Sequence, residues 1–187
     1  MPAATPPPEH LRDEVESVLI GEQEIAVRVR ELAADIERDF AGKDLLVVAL
    51  LTGTVPFLAD LVRHITLPMR LDFMGVSSYG SGTAPGELVF TKELGLEARD
   101  RDVLLVDDIL DTGKTLRAVI DKLNALEPKS LKTCVLLEKK SRRAEEIMAD
   151  YVGFEVPDAF VVGYGLDYAE RYRNLPFIGI LKPQVYA

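Results

Sequence analysis

The segment "VLLVDDILDTGKTL", residues 103–116, combines acidic side chains with a small, hydroxyl-rich turn. Asp107 and Asp108 follow an apolar run, and carboxylates accept hydrogen bonds from sugar hydroxyls or from water molecules on Mg²⁺. A turn that opens a helix instead directs N–H groups and the positive end of the helix dipole at an anion. The segment therefore predicts a ligand that carries hydroxyls or a metal at one end and a phosphate at the other.

The phosphate is expected at five consecutive residues that open a helix, namely Asp111, Thr112, Gly113, Lys114 and Thr115. The two threonines add hydroxyl donors, and Gly113 allows a close approach of the backbone. A nucleoside triphosphate loop is excluded, because Asp108 stands where such a loop needs its first glycine, five residues before the Gly-Lys pair. A 5-phosphorylated ribose with a metal-chelated pyrophosphate matches the whole segment.

Strands and helices alternate around this segment. Apolar runs at 44–53, 102–108 and 131–140 predict buried strands, while 22–40, 55–64 and 113–128 have the pattern of helices. Such alternation favours right-handed crossovers and a mostly parallel α/β sheet. Ligands of these sheets bind beyond the carboxyl ends of the strands. We expect one site at that edge, because these residues lie at the ends of predicted strands: Thr52, Gly53, Lys139 and residues 107–115 and 163–167.

Composition narrows the class of protein. We expect a disordered Pro-rich tail over residues 1–10, one domain over 11–187, and a glycine-rich mobile loop at about 77–90. The net charge of −9 argues against a broad nucleic-acid-binding face. No apolar stretch is long enough for a membrane span, and the single Cys134 cannot form an internal disulfide. A cytoplasmic location is the resulting expectation.

Five segments resemble the hypoxanthine-guanine branch of the type I phosphoribosyltransferases and occur in the order of that family. They are "LLTGTVPFLADLVR", "DFMGVSSYGSGT", "VLLVDDILDTGKTL", "LLEKK" and "FVVGYGLDYAERYRNLPFIGIL". The resemblance implies a mostly parallel twisted sheet flanked by helices, with a small hood formed by N- and C-terminal segments. It also implies Mg²⁺-dependent transfer of phosphoribose from 5-phosphoribosyl-1-pyrophosphate (PRPP) to N9 of hypoxanthine or guanine. IMP or GMP and pyrophosphate would be the products, and a homodimer or homotetramer the assembly.

The resemblance also implies roles for single residues. Asp111 would be the general base, and Asp107, Asp108 and Asp167 would serve Mg²⁺. The purine would be held by Lys139 at its exocyclic O6, by Phe160 stacking on the ring, and by the backbone at Val161 and Asp167. A lysine donor suits a 6-oxo acceptor and rejects the 6-amino group of adenine.

Pyrophosphate would be bound by the main chain at Thr52 and Gly53, across a cis peptide bond, and by Arg173, whose guanidinium suits bidentate contacts. Ser78 and Tyr79 would close over the site and exclude water. The family often has lysine where this chain has Thr52, and glutamate where it has Asp107. Because the lysine charge is missing at Thr52, weaker binding of PRPP or pyrophosphate is a hypothesis. Two alternatives remain: a phosphoribosyltransferase for xanthine or uracil, and a PRPP- or nucleotide-sensing regulator that binds RNA.

Overall fold

The computed structural model describes residues 5–79 and 87–186. These residues form nine strands and four helices, with a 3₁₀ turn at Glu9–Leu11. The strands are β1 (Val15–Ile20), β2 (Leu45–Leu51), β3 (Met69–Tyr79), β4 (Glu87–Lys92), β5 (Asp102–Leu110), β6 (Ser130–Glu138), β7 (Tyr151–Glu155), β8 (Val161–Val162) and β9 (Ile178–Leu181). The helices are α1 (Glu22–Phe40), α2 (Val55–Arg63), α3 (Lys114–Asn124) and α4 (Pro183–Tyr186).

The main sheet has the strand order β4-β3-β2-β5-β6-β7. All of its pairs are parallel except β3 with β4, so the predicted mostly parallel α/β sheet is confirmed. Alternate residues of β2 enter different cores: Val47 packs with α1 and α2, whereas Val48 packs with α3. Helices therefore cover both faces of the sheet, which explains why its central strands read as continuous apolar runs.

A second, antiparallel sheet has the order β1-β9-β8 and joins the two ends of the chain. Val15 pairs with Leu181, and Ile20 pairs with Ile178. This small sheet is the hood that the resemblance implied. The segment around Phe160 belongs to this hood, since β8 follows that residue directly.

Residues 5–10 of the segment expected to be a disordered tail make contacts with the rest of the protein. The carbonyl of Thr5 accepts a hydrogen bond of 2.9 Å from the N–H of Val18, and Pro7 is buried. Thr5 thus adds a bridge to the edge of β1, which a Pro-rich composition does not reveal. Residues 1–4 lie outside the described residues.

Strands β3 and β4 extend into both ends of the range 77–90, which was expected to be a mobile loop. Tyr79 pairs with Glu87, so the two strands form an antiparallel pair there. Residues 80–86 lie outside the described residues. None of the helices in the described part of the chain has the length and apolar character needed to cross a membrane.

Candidate active site

A cavity of about 330 Å³ lies beyond the carboxyl ends of β2 and β5. It is lined by Gly53 and Thr54 after β2, by residues 107–110 at the end of β5, by the turn 111–113, and by Thr115 at the start of α3. The two strands are parallel neighbours, with Ala49 opposite Val106, so their ends meet at one edge of the sheet. A cavity therefore lies at the sheet edge where the sequence predicts a site.

Asp107 and Asp108 form a desolvated pair of carboxylates at this edge. The Asp107 Oδ1 atom accepts hydrogen bonds from Thr54 Oγ1 at 3.2 Å and from the N–H of Asp108 at 2.9 Å. Burial and then the charge of Asp108 raise the pKa of Asp107 well above its usual value. Burial also raises the pKa of Asp108, partly offset by the nearby guanidinium of Arg173. Hydroxyl donors or a cation in the cavity would relieve this repulsion.

Both acids lie within β5, which is longer than the predicted run of 102–108. The strand continues because Ile109 pairs with Leu137 and Leu110 with Glu138. The turn 111–113 therefore begins directly at the end of the sheet. Helix α3 follows at Lys114, one residue later than predicted, and ends at Asn124 rather than 128.

The turn before α3 exposes the first amides of a helix to the cavity. Gly113 is the N-cap with φ +86°, and its carbonyl accepts the first helical hydrogen bond, from the N–H of Arg117 at 2.9 Å. The N–H groups of Lys114, Thr115 and Leu116 have no acceptor within the helix, and that of Lys114 makes only a long contact of 3.5 Å with Thr112 Oγ1. Such amides, together with the helix dipole, bind anions.

Gly113 has a packing role that the sequence did not reveal. A Cβ there would lie 2.8 Å from Ile147 Cγ2 and 3.2 Å from Glu145 Cβ. The carbonyl of Thr112 accepts hydrogen bonds from the N–H groups of Ala144 at 2.9 Å and Glu145 at 3.1 Å. The segment 143–147 thus supports the turn from outside, so glycine is needed for its positive φ and for this close contact.

Asp111 has one carboxylate oxygen without a partner. Its Oδ1 atom is buried and makes no hydrogen bond with any described residue, while Oδ2 lies 3.5 Å from Arg142 Nη1. A buried oxygen with unused lone pairs can accept a proton or a hydrogen bond from a ligand. Arg142, which is half exposed, was not predicted to belong to the site.

Of the residues predicted to hold a purine, Lys139 directly follows β6, and Phe160 and Val161 lie at the start of β8. Lys139 is only 5% exposed, and its N–H donates to the carbonyl of Leu110 at 2.9 Å, which ties it to the end of β5. No ion pair links Lys139 to another described residue. Val161 is buried in β8, and the carbonyl of Phe160 accepts a hydrogen bond of 2.8 Å from the N–H of Leu181.

Asp167 and Arg173 form an ion pair with each other. Asp167 Oδ1 lies 2.9 Å from Arg173 Nη1, and Asp167 Oδ2 accepts the N–H of Glu170 at 2.9 Å. Arg173 Nη1 also donates to the carbonyl of Gly165 at 2.9 Å. The two predicted residues are therefore brought together beside the acid pair, as the influence of Arg173 on Asp108 indicates.

The first loop contains a cis peptide bond between Leu51 and Thr52, as the resemblance implied. Thr52 is exposed, whereas Gly53 and Thr54 are buried. The backbone of Ser78 and Tyr79 belongs to β3. Within the described residues, no group of three or more His, Cys, Asp or Glu side chains has the spacing of a metal site.

Comparison with known proteins agrees with this geometry. The model of the phosphoribosyl transferase domain matches residues 18–169. The chain is 49% identical to the hypoxanthine-guanine phosphoribosyltransferase of Bacillus subtilis, over 94% of this chain and 98% of that protein. It is also 47% identical to the bifunctional protein TilS/HprT of Listeria monocytogenes, over 96% of this chain but only 28% of that protein.

A crystal structure of a hypoxanthine phosphoribosyltransferase from Staphylococcus aureus superimposes with a TM-score of 0.91. The two are 44% identical, and the alignment covers 96% of this chain and 98% of that one. The hood and the main sheet are both within this range. The chain therefore belongs to the hypoxanthine-guanine phosphoribosyltransferase family of the phosphoribosyltransferases.

Proposed function

We propose that this protein transfers the 5-phosphoribosyl group of PRPP to N9 of hypoxanthine or guanine, giving IMP or GMP and pyrophosphate in purine salvage. One observation carries the proposal: a desolvated acid pair and an anion-binding turn line the same cavity. A phosphorylated sugar has complementary groups for both. The family relationship of the whole chain supports the same reaction.

In this proposal the turn 111–115 binds the 5-phosphate. The free amides at the start of α3 donate to the phosphate oxygens, and Thr112 and Thr115 add hydroxyl donors. Lys114 contributes a positive charge nearby. Asp107 and Asp108 accept hydrogen bonds from the ribose hydroxyls, since an ionised carboxylate only accepts.

Mg²⁺ fits the same residues. Asp107 and Asp108 offer only oxygen atoms, which this ion prefers. Burial raises the pKa of both carboxyls, and a bound cation would compensate for that loss of solvation. Asp167 lies on a separate segment and would serve Mg²⁺ through its remaining lone pairs, because Arg173 and Glu170 already use one on each oxygen. Substrate oxygens and water would complete the coordination. When bound, Mg²⁺ would neutralise the charge that develops on the departing pyrophosphate.

The purine is held, in this proposal, by Lys139, Phe160, Val161 and Asp167. Lys139 Nζ donates to the exocyclic O6, a role that its burial without an ion partner among the described residues supports. Phe160 stacks on the ring, and the main chain at Val161 and Asp167 meets the purine edge. Adenine would present an amino donor to the lysine donor and be rejected.

Asp111 is the proposed general base. As N9 attacks C1 of the ribose, the N9–C1 bond forms, the bond from C1 to the pyrophosphate oxygen breaks, and the N7 proton passes to the Asp111 carboxylate. The buried, unpartnered Oδ1 atom supports this role. General-base help of this kind contributes about 10²–10⁴-fold in rate.

The pyrophosphate is bound, in this proposal, by the main chain at Thr52 and Gly53 and by Arg173. Arg173 is held by the carbonyl of Gly165 and by the carboxylates of Asp167 and Glu170, and its guanidinium fork suits bidentate contacts with a diphosphate. Ser78 and Tyr79 close over the site and exclude water from the reactive ribosyl centre. The assembly is a homodimer or homotetramer, and the location is the cytoplasm.

The test is an assay of nucleotide formation from PRPP with hypoxanthine, guanine, xanthine, uracil or adenine, each with Mg²⁺ and with a chelator. We expect turnover of hypoxanthine or guanine that needs the metal, and none of adenine. Turnover of xanthine or uracil alone would overturn the assigned base. Absence of turnover together with RNA retention in a filter-binding assay would identify a nucleotide-sensing regulator instead.

A further inference from the structure

The C-terminal turn α4 is anchored to the segment that precedes β1. The N–H of Lys182 donates to the carbonyl of Glu14 at 2.9 Å, and Lys182 Nζ donates to the carbonyl of Arg12 at 2.5 Å. The amide of Gln184 adds a longer contact of 3.4 Å with the carbonyl of Asp13. These contacts fix the direction in which the chain leaves β9, and hence the place of Tyr186.

Tyr186 stacks on Phe160. The ring centroids are 4.7 Å apart and the ring planes differ by 25°. A third ring, that of Tyr168, meets Phe160 at 5.5 Å with an interplanar angle of 89°. Phe160 is thus held in two directions by rings from two different segments of the hood. Stacked and edge-to-face geometries of this kind are the favourable arrangements for aromatic pairs.

We propose that Tyr186 is a positioning residue for the purine, which covers one face of Phe160 and leaves the opposite face in a fixed plane for the base. This inference rests on the proposed purine-stacking role of Phe160. Tyr186 itself does not touch the substrate, and it acts only through the ring that it packs against.

Tyr186 preorganises the ring of Phe160 for purine binding. Without a neighbouring ring, a half-buried phenylalanine can rotate about its side-chain torsions. A purine that stacks on it must then fix its orientation on binding, which costs conformational entropy. Tyr186 supplies that order in the free protein because α4 is already anchored. The benefit concerns the base alone, since the acid pair and the turn 111–115 lie on other elements.

The experiment compares Tyr186→Ala and Tyr186→Phe by steady-state kinetics, with hypoxanthine varied at saturating PRPP and PRPP varied at saturating hypoxanthine. Tyr186→Ala should raise KM for the purine about three- to tenfold, the range expected for one aromatic pair. It should leave kcat and KM for PRPP within about twofold, the usual effect of a distant surface change. Tyr186→Phe should restore the native KM. Glu16→Ala, at an exposed position on β1 of the same hood, is the matched control and should change none of these constants.

A double-mutant cycle with Phe160→Ala separates this inference from the proposed function. If Tyr186 acts through Phe160, adding Tyr186→Ala to Phe160→Ala should raise KM no further. A raised KM in Phe160→Ala with no effect of Tyr186→Ala would refute the inference and leave the stacking role intact. No effect of Phe160→Ala would remove both assignments. A lower KM in Tyr186→Ala, or equal changes for both substrates, would also overturn the positioning role.

Discussion

The carboxylate of Asp108 fills the space where a side chain at Gly53 would lie. A Cβ on Gly53 would be 1.8 Å from Asp108 Oδ2, and a Cβ on Gly165 would be 1.8 Å from the carbonyl oxygen of Gly53. The segments around Gly53, Asp108 and Gly165 are far apart in the sequence but meet here. The backbones at Gly53 and Gly165 are so close that no side chain fits between them. The proposed pyrophosphate loop and the acid pair are packed as one unit.

Gly53→Ala should disable the site without unfolding the protein. The added methyl group must move Asp108 by about 1 Å or more, and displacements of that size at a reacting centre cost roughly 10²-fold in rate. The measurement is kcat/KM with PRPP varied, beside a thermal melt. Gly21→Ala is the control, because a Cβ there meets nothing within 4 Å. Near-native turnover in Gly53→Ala would show that this contact does not matter for activity.

Asp107→Asn should stabilise the free protein while lowering its activity. The pKa of Asp107 is raised by burial and by Asp108, so its ionised form opposes folding above the unfolded-state pKa. Asparagine removes that charge and keeps an oxygen acceptor for Thr54 and the N–H of Asp108. We expect a higher Tm near pH 8, where each gain of about 1 kcal/mol in unfolding free energy corresponds to about 2–4 °C in a domain of this size.

The direction of the pKa shift of Asp107 determines how the gain in Tm varies with pH. A raised folded-state pKa gives a contribution to stability that is present at low pH and is lost as the pH rises through that pKa. The gain in Tm should therefore shrink from pH 8 toward pH 5. Asp121→Asn, with the same change of charge on an exposed face of α3, is the control. A lower Tm for Asp107→Asn at every pH would contradict the assigned electrostatics.

Asp111→Asn should keep PRPP binding and lose most turnover. Its Oδ1 atom has no partner in the described structure, so an amide leaves the local hydrogen bonds of the turn in place. Loss of general-base help predicts a fall in kcat of about 10²–10⁴-fold. PRPP affinity is measured by calorimetry, with Asp158→Asn as the control because it shares the Arg142 partner. Full kcat in Asp111→Asn would reject the assigned base.

Thr52→Lys should tighten pyrophosphate and PRPP binding modestly. Thr52 is exposed, so a lysine fits without repacking and places a new charge beside the proposed pyrophosphate loop. Exposed charge pairs contribute about 0.2–1 kcal/mol, which corresponds to an improvement of up to about fivefold at low salt. Thr52→Met supplies a neutral side chain of similar length. Equal affinities for the lysine, methionine and native proteins would remove the hypothesis that Thr52 weakens this contact.

The elements with strong periodicity could be predicted from the sequence alone. Helix α1 has the predicted bounds of Glu22–Phe40, since its apolar face repeats at helical spacing throughout. β7 was not predicted, because five residues that include Gly153 give no pattern. Its place depends on a distant partner: the Arg28 guanidinium donates to the carbonyls of Val152 at 2.8 Å and Gly153 at 2.9 Å.

The site likewise has some residues that the sequence predicts and others that only the fold brings together. Asp107, Asp108 and the turn 111–115 are consecutive, so their joint chemistry is readable before any fold is known. The contact of Thr54 with Asp107 spans 53 positions and depends on β2 lying beside β5. The Tyr186 stack depends on the anchoring of α4, which no local motif indicates. What the sequence could not reveal is therefore the set of supporting contacts made across the fold.

A crystal structure with GMP bound tests the central claim most directly. We expect the 5′-phosphate to accept hydrogen bonds from the amides at the start of α3 and from Thr112 or Thr115. We also expect the ribose hydroxyls to face Asp107 and Asp108, and the guanine O6 to lie within hydrogen-bond distance of Lys139 Nζ. A 5′-phosphate bound away from the turn 111–115 would show that this turn is not the phosphate site.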